Sequence, residues 1–504
     1  MTNGISAYTT ENRGRVLLLF LLFFLAIYEF VTAGFPKFAI ICILPFIILA
    51  VYLAFKYRMF AFWTLITINY FIQMKDFPLP VPMSLPNEML QLILLAIAVI
   101  DARQTPHFER SANLMFVALA TWCGYCTLEL LNDTCDLGID VACWYQGARL
   151  MAFQLMYIFL VFTIYVSSPE ILMRYIKIWA VLALFSAFWV WKQQNLGFTV
   201  AENSWIQTRG RTTHILNAGT LIRYFSTFSD AANYGCNAAA TTVAFILFGI
   251  TSKIKADRIF FLVTGIAVFY GMFASGTRTA IFCVAAGFMV YIFLSKSVRI
   301  AVPFSIVFAI AAFLLVFTTI GNGNQQIRRM RSAFNKDDAS ANVRDINKQA
   351  ISKYIKDAPW GIGLGMGYNV PANNKYNKLA TIPPDSEYVY IWIRTGKIGI
   401  TVFLITTLVM FLGACSIVFF RLKSRSLMGI GAGFCCAFVS IQLGGYANQV
   451  LMQFPNALIF YGGLSIVYVL PYLEPEWIKY EEKRFAEQEE RKRLKLEKKL
   501  ASRV

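Results

Sequence analysis

Three short stretches of an otherwise apolar chain carry groups that a bilayer discourages: Arg223-Tyr-Phe-Ser-Thr-Phe-Ser-Asp230, Ser275-Gly-Thr-Arg-Thr279 and Pro384-Asp-Ser-Glu-Tyr388. Each falls at the boundary of an expected span, and a topology count puts all three on one face, the extracytoplasmic one. Guanidinium and carboxylate gathered there suit an anionic, lipid-linked substrate. Arg278 is the sharpest case, because almost no loop separates the spans on either side of it. An arginine deep in lipid costs ~2.5–3.5 kcal/mol on insertion scales, so it lines a cavity or snorkels to the interface. Its neighbours Ser275, Gly276, Thr277 and Thr279 favour a cavity, since hydroxyls and exposed N–H groups beside a guanidinium suit phosphate oxygens.

Arg223 precedes Thr227, Asp230 and Asn233 at the start of a span, and Arg209 and Arg211 share its loop. Asp230 is placed either to cap that helix or to take part in chemistry. In the third stretch, helix from Ser386 onward sets Tyr388, Ile391, Trp392 and Thr395 on one face and Glu387, Tyr390 and Arg394 on another. Asp385, after Pro383-Pro384, reads as the N-cap, a position that keeps a carboxylate ionised. The histidines are His107, in an inner loop, and His214, in an outer one near Arg211. Contact with phosphate is open to His214, but a surface histidine is the default, and Ser/His/Asp catalysis has weak support.

These groups sit in a chain of 504 residues that is 58% hydrophobic and only 15% charged. Soluble domains carry about a quarter charged residues, so this composition implies an all-α polytopic membrane protein. The net charge of +18 reads as positive-inside bias and attraction to anionic membrane lipids; no basic-aromatic module points to nucleic acid. Ten cysteines form no paired CxxC pattern, which argues against zinc. Cys135 and Cys143 share an outer loop where a disulfide is permitted. The first apolar run reads as a retained anchor.

Apolar runs fall at about 15–34, 38–56, 59–74, 89–100, 111–128, 148–166, 173–191, 231–250, 259–274, 279–295, 300–320, 400–420, 427–445 and 456–473. Roughly twelve to fourteen transmembrane helices are expected. Lys56/Arg58, Arg103/Arg110, Arg174/Lys177, Lys253/Lys255/Arg258, Lys296/Arg299 and Arg421/Lys423/Arg425 all fall in inner loops when the N-terminus is inside. The organisation is then 1–320 with short loops and outer loops near 129–147 and 192–230, a large, partly helical outer loop at 321–399, helices over 400–473 and a charged cytoplasmic tail at 474–504. The tail reads as a solvated or membrane-surface helix. The large loop carries Arg328, Arg329, Arg331 and Arg344, then Gly361-Ile-Gly-Leu-Gly-Met-Gly367, which reads as a flexible loop approaching substrate or membrane.

In this order and topology the motifs resemble the O-antigen ligase and polymerase superfamily, which includes bacterial protein O-oligosaccharyltransferases. The resemblance covers roughly residues 220–400. Arg223…Phe228…Asp230…Asn233 fits the family's arginine before a helix loosely, and Ser275-Gly-Thr-Arg278-Thr279 fits its Ser-x-Ser/Thr-Arg-Thr/Ser motif well. Pro359-Trp-Gly361-Ile-Gly363-Leu-Gly365 and Gly396-Lys-Ile-Gly399 fit its Pro-x-Gly-x-Gly-x-Gly and Gly-x-x-Gly elements. One departure matters: Asp385 and Ser386 stand where the family usually has histidine and asparagine.

The resemblance implies a GT-C-like glycosyltransferase of the bacterial inner membrane. Such an enzyme passes a glycan from polyprenyl diphosphate to a hydroxyl at the periplasmic face, with inversion and with neither cofactor nor metal. Arg223, Arg278, Arg344 and Arg211 are the candidates for the diphosphate. Asp385, with Glu387 as second choice, is the candidate to orient or deprotonate the acceptor, and Arg278 to stabilise the leaving group. O-antigen ligase, with lipid A-core as acceptor, is the first expectation; polymerase or protein O-oligosaccharyltransferase is the alternative. A lipid-linked oligosaccharide flippase is the alternative from another class; it would bury charges along a path open to both faces.

Overall fold

The computed structural model describes residues 13–33, 44–46, 48–49, 52–53, 56–76, 84–100, 108–216, 221–334, 339–367 and 370–501. The span expected over 38–56 lies mostly outside them, as do His107 and Arg103. Two compact units are present, Met1–Phe62 and Trp63–Val504. In the first, α1 (Arg13–Ala33) is apolar all round and leaves Leu17 to Leu25 exposed, the signature of a helix that meets lipid.

The second unit contains most of α2 (Arg58–Phe71), then α3 (Ser84–Ile100), α4 (Leu114–Leu128) and α5 (Val141–Ala148). A π-helical turn joins α5 to α6 (Gln154–Tyr165), and α7 (Pro169–Asn195), α8 (Ala231–Thr251), α9 (Lys255–Ala274), α10 (Thr279–Leu294) and α11 (Val298–Phe317) follow. After them come α12 (Gln325–Arg331), α13 (Ala339–Tyr354), α14 (Glu387–Ser416), α15 (Arg425–Ala447) and α16 (Gly462–Ala501). The protein is all-α and polytopic. Among the described residues, eight helices are long and apolar enough to cross a membrane. That is fewer than the twelve to fourteen expected, in part because α3 and α10 are shorter apolar helices.

α8 lies at the centre. Asp230 caps it, accepting from the Ala232 and Asn233 N–H groups at 2.8 and 3.0 Å. Its run Ala238-Ala-Ala240 lets α9, α10 and α15 pack closely around it. Trp179 of α7, fully buried, stacks on Phe434 of α15 with centroids 6.1 Å apart and meets Phe245 of α8 at 4.7 Å. Such pairs add ~0.5–1.5 kcal/mol each beyond their burial.

The basic loops 251–255 and 421–425 and the tail share one end of this unit. The tail is not a free solvated helix: it continues α16 and docks. Asp257 pairs with Lys177 at 2.9 Å and with both Arg484 nitrogens at 2.5 and 3.1 Å, and Lys253 meets Glu481 at 2.6 Å. The three stretches of interest lie at the opposite end.

α14 begins inside the segment assigned to the large loop and reverses at Gly396, whose φ of 64° and ψ of −164° break the helix. Fifteen residues of straight helix would separate Tyr388 from Phe403 by about 22 Å, yet their rings are 6.2 Å apart. The bend orphans carbonyls that the glycine run satisfies: Ile362 and Gly363 N–H donate to the Ile393 and Arg394 oxygens at 2.9 and 3.0 Å. A Cβ on Gly396 would fall 1.9 Å from the Pro359 oxygen, and one on Gly365 1.8 Å from the Cys143 oxygen. The run is therefore a backbone-to-backbone seam, not the substrate-approaching loop its composition suggests. Cys135 and Cys143 lie in the buried cluster beside it, with Ile351 and Ile362.

Candidate active site

A two-stranded ladder, β1 (Ile215–Leu216) with β2 (Leu221–Ile222), delivers Arg223. The Arg223 N–H extends the ladder to the His214 oxygen at 2.9 Å. Its guanidinium then donates to the Ser275 oxygen from Nε at 3.2 Å, to the Thr213 oxygen from Nη1 at 2.9 Å and to Thr277 Oγ1 from Nη2 at 3.1 Å. Burial lowers its pKa; Asp230 opposes this, and Arg278 and Arg344 push the same way as burial. Three of the four arginines expected at the site therefore share one electrostatic neighbourhood. Arg211, the fourth, is exposed.

The Ser275-Gly-Thr-Arg-Thr279 turn connects α9 to α10. Ser275 Oγ donates back to the Met272 oxygen at 2.7 Å, and Thr277 Oγ1 donates to the Ala231 oxygen at 2.7 Å, tying the turn to the start of α8. Gly276 has φ +59°, and a Cβ there would lie 3.3 Å from Arg329 Cδ and 3.4 Å from Arg223 Cγ. Two arginine stems thus flank this glycine. Arg329 Nε donates to the Gly276 oxygen at 2.6 Å, and Arg278 Nη1 donates to Ser332 Oγ at 3.3 Å. Arg329 was not singled out from the sequence, because nothing distinguishes it from Arg328 and Arg331 in Arg-Arg-Met-Arg. The helical spacing of α12 aims Arg331 back at the Leu314 and Ile320 oxygens and leaves Arg329 at the turn.

Asp385 lines a cavity of about 380 Å³ together with Arg344 and Lys348 of α13, Tyr388 and Trp392 of α14 and Tyr446 of α15. Asn347 Nδ2 donates to Asp385 Oδ2 at 2.8 Å. Asp385 is not the N-cap: Ser386 holds that position, its Oγ donating to the Gly445 oxygen at 3.1 Å. Asp385 instead adopts a left-handed φ of 53°. That conformation is uncommon outside glycine, and aspartate is among the residues that adopt it most readily. Glu387 lies outside the cavity lining; it is buried, and its Oε2 accepts the Leu451 N–H at 2.9 Å. The cavity adjoins the arginines through Asn448, which follows the lining residue Ala447 and donates from Nδ2 to Thr279 Oγ1, beside Arg278, at 3.4 Å.

His214 is a buried residue rather than the surface histidine expected. Its Nε2 accepts the Ala231 N–H at 3.1 Å, so the proton sits on Nδ1, which faces the Gly210 oxygen at 3.1 Å. Burial, helped by Arg223, lowers its pKa to about 4. Lys75 is a second residue the sequence reading passed over. It donates to the Ser229 oxygen at 3.1 Å and stands 4.4 Å over the Trp205 ring; burial lowers its pKa to about 8 against the opposing pull of Asp230.

Fold and site together define a multi-pass membrane protein with an arginine-rich site beside a carboxylate-bearing cavity at one end of its helices. Residues 263–404 match the family described as O-antigen ligase. The match supports a place for the chain in the O-antigen ligase and polymerase superfamily, with a membrane glycosyltransferase activity of that kind in lipopolysaccharide biosynthesis. It takes in Arg278, Arg329, Arg344, Asp385 and the glycine seam, whereas Arg223 lies outside it. A search of curated proteins found no match.

Proposed function

We propose that the protein transfers a glycan from a polyprenyl-diphosphate donor to an acceptor hydroxyl at the periplasmic face of the inner membrane, as an O-antigen ligase with lipid A-core as acceptor. The observation that carries this reading is the meeting of Arg223 and Arg329 at Gly276, with Arg278 two residues on. The three come from separate stretches of chain, and Asp385 lies in the adjoining cavity.

Arg223, Arg278 and Arg329 hold the diphosphate, and Arg344 assists from the cavity wall. The acceptor oxygen attacks the anomeric carbon as the bond from that carbon to the diphosphate breaks. The electron pair leaves with the phosphate oxygen, where fixed guanidinium groups stabilise the growing charge. Asp385, oriented by Asn347, accepts the hydroxyl proton. Direct displacement inverts the anomeric centre. Charge stabilisation is assigned to arginine, with neither metal nor cofactor given a role. Glu387 anchors the 448–456 segment in this scheme.

Purified protein supplied with a lipid-linked glycan and, separately, with lipid A-core, a free glycan repeat or a protein acceptor tests the reading. Transfer to lipid A-core supports a ligase. Transfer only to glycan repeat or protein makes it a polymerase or an O-oligosaccharyltransferase. Translocation without transfer overturns the enzyme assignment.

A further inference from the structure

At the basic end, opposite the arginine site, a groove of about 550 Å³ lies between Thr67 of α2, one face of α7 and Tyr480 of α16. Its polarity changes along α7. Glu170, Arg174 and Lys177 line the end where α7 starts, and Ile178, Val181 and Leu182 line the rest. The apolar part, Ile178 to Leu182, covers four residue steps, about 6 Å of helix, enough for the first methylenes of an acyl chain. Val181 is 57% exposed, so the apolar end opens to lipid.

The charge at the head of the groove is unbalanced. Lys177 and Arg484 share the single carboxylate of Asp257. Arg174 makes no hydrogen bond or ion pair among the described residues, and Glu170 is the one carboxylate in the lining. Two cations and one anion thus line the groove, Asp257 and Arg484 lying outside the lining. A charged, net-positive head joined to a short apolar trough open to lipid matches the polarity of an anionic phospholipid at its headgroup and the start of an acyl chain.

We propose that this groove binds one anionic phospholipid of the bilayer, its phosphate held by Arg174 and Lys177 and an acyl chain laid along Ile178, Val181 and Leu182. Because Tyr480 belongs to the docked tail, the lipid bridges the tail helix to α7. The inference does not depend on the transferase reading.

The test is native mass spectrometry of the full-length protein released from nanodiscs of mixed phosphatidylcholine and phosphatidylglycerol. Wild type is expected to retain phosphatidylglycerol preferentially. Arg174→Ala should reduce that retention about fivefold, the loss expected for one basic residue facing an anionic headgroup. Arg421→Ala, an exposed arginine outside the groove lining, should leave it unchanged. Equal retention of both lipids by wild type overturns the proposal. So does an equal fall in both variants, which would mean bulk attraction to the basic end.

Discussion

Arg223 Nη2 donates to Thr277 Oγ1 at 3.1 Å, across 54 residues of sequence. The same threonine oxygen donates to the Ala231 carbonyl at 2.7 Å. One hydroxyl therefore sets the position of the outer-loop arginine relative to both the α9–α10 turn and the start of α8.

Each of Arg223→Ala, Arg278→Ala and Arg329→Ala should lower transfer by about 10²–10³-fold, the usual loss when one fixed charge-stabilising donor is removed. Protein level and membrane insertion should remain normal for Arg278→Ala. Arg211→Ala, which removes an exposed side chain, should stay near wild type. Assay of purified variants with a defined lipid-linked donor checks all four. Full activity in Arg329→Ala would remove it from the site.

Asp385→Asn should cost about 10²–10⁴-fold in transfer if its carboxylate takes the acceptor proton. Asn347→Ala should give a smaller loss, because it only orients Asp385. Glu387→Gln keeps an oxygen for the Leu451 N–H and should transfer at close to the wild-type rate. The reverse pattern, an inactive Glu387→Gln beside an active Asp385→Asn, would exchange the two roles.

Gly365→Ala and Gly396→Ala should lower the melting temperature far more than Gly138→Ala. All three glycines have positive φ, but a Cβ at 138 meets nothing within 4 Å, whereas at 365 and 396 it strikes backbone oxygen. The left-handed conformation alone costs an alanine ~1–2 kcal/mol, and overpacking adds ~1–3 kcal/mol. Fluorescence-detected thermal unfolding in detergent separates them.

Acidification should destabilise the protein in part through His214. Its pKa in the fold is about 4, below the ordinary 6.5, because burial, helped by the charge of Arg223, disfavours the protonated ring. Between those values the unfolded chain binds the extra proton, so this contribution is intact above pH 6.5 and is lost as pH falls toward 4. The loss amounts to at most roughly 3 kcal/mol. His214→Gln should be less stable than wild type at pH 7.5 but lose less on moving to pH 5, as read by thermal melts at both pH values.

Much of this molecule is local, and local features were legible. Hydropathy marks α7, α8 and α15 because each span must be apolar over its own length. Asp230 announces its cap because the N–H groups it binds are two and three residues away. The turn around Arg278 stands out because an arginine between two spans needs a reason. The departure at Asp385 is visible against a family motif. Helix from Ser386 onward was legible too, and α14 begins at Glu387; its reversal at Gly396 was not, because a glycine's φ is set by what packs against it.

What the sequence by itself determined is a helical membrane protein with arginines and a carboxylate at one end, since charge and hydropathy act residue by residue along the chain. Only tertiary structure decided which of those residues meet. Arg329 reaches Gly276 because α12 folds over the turn, not because of its place among other arginines. The alternate glycines serve a seam because α14 reverses and exposes carbonyls to them. His214 is neutral and buried because β1 and β2 carry it beneath α8. Each outcome rests on contacts between groups distant in sequence, and their geometry exists only once the helices have packed.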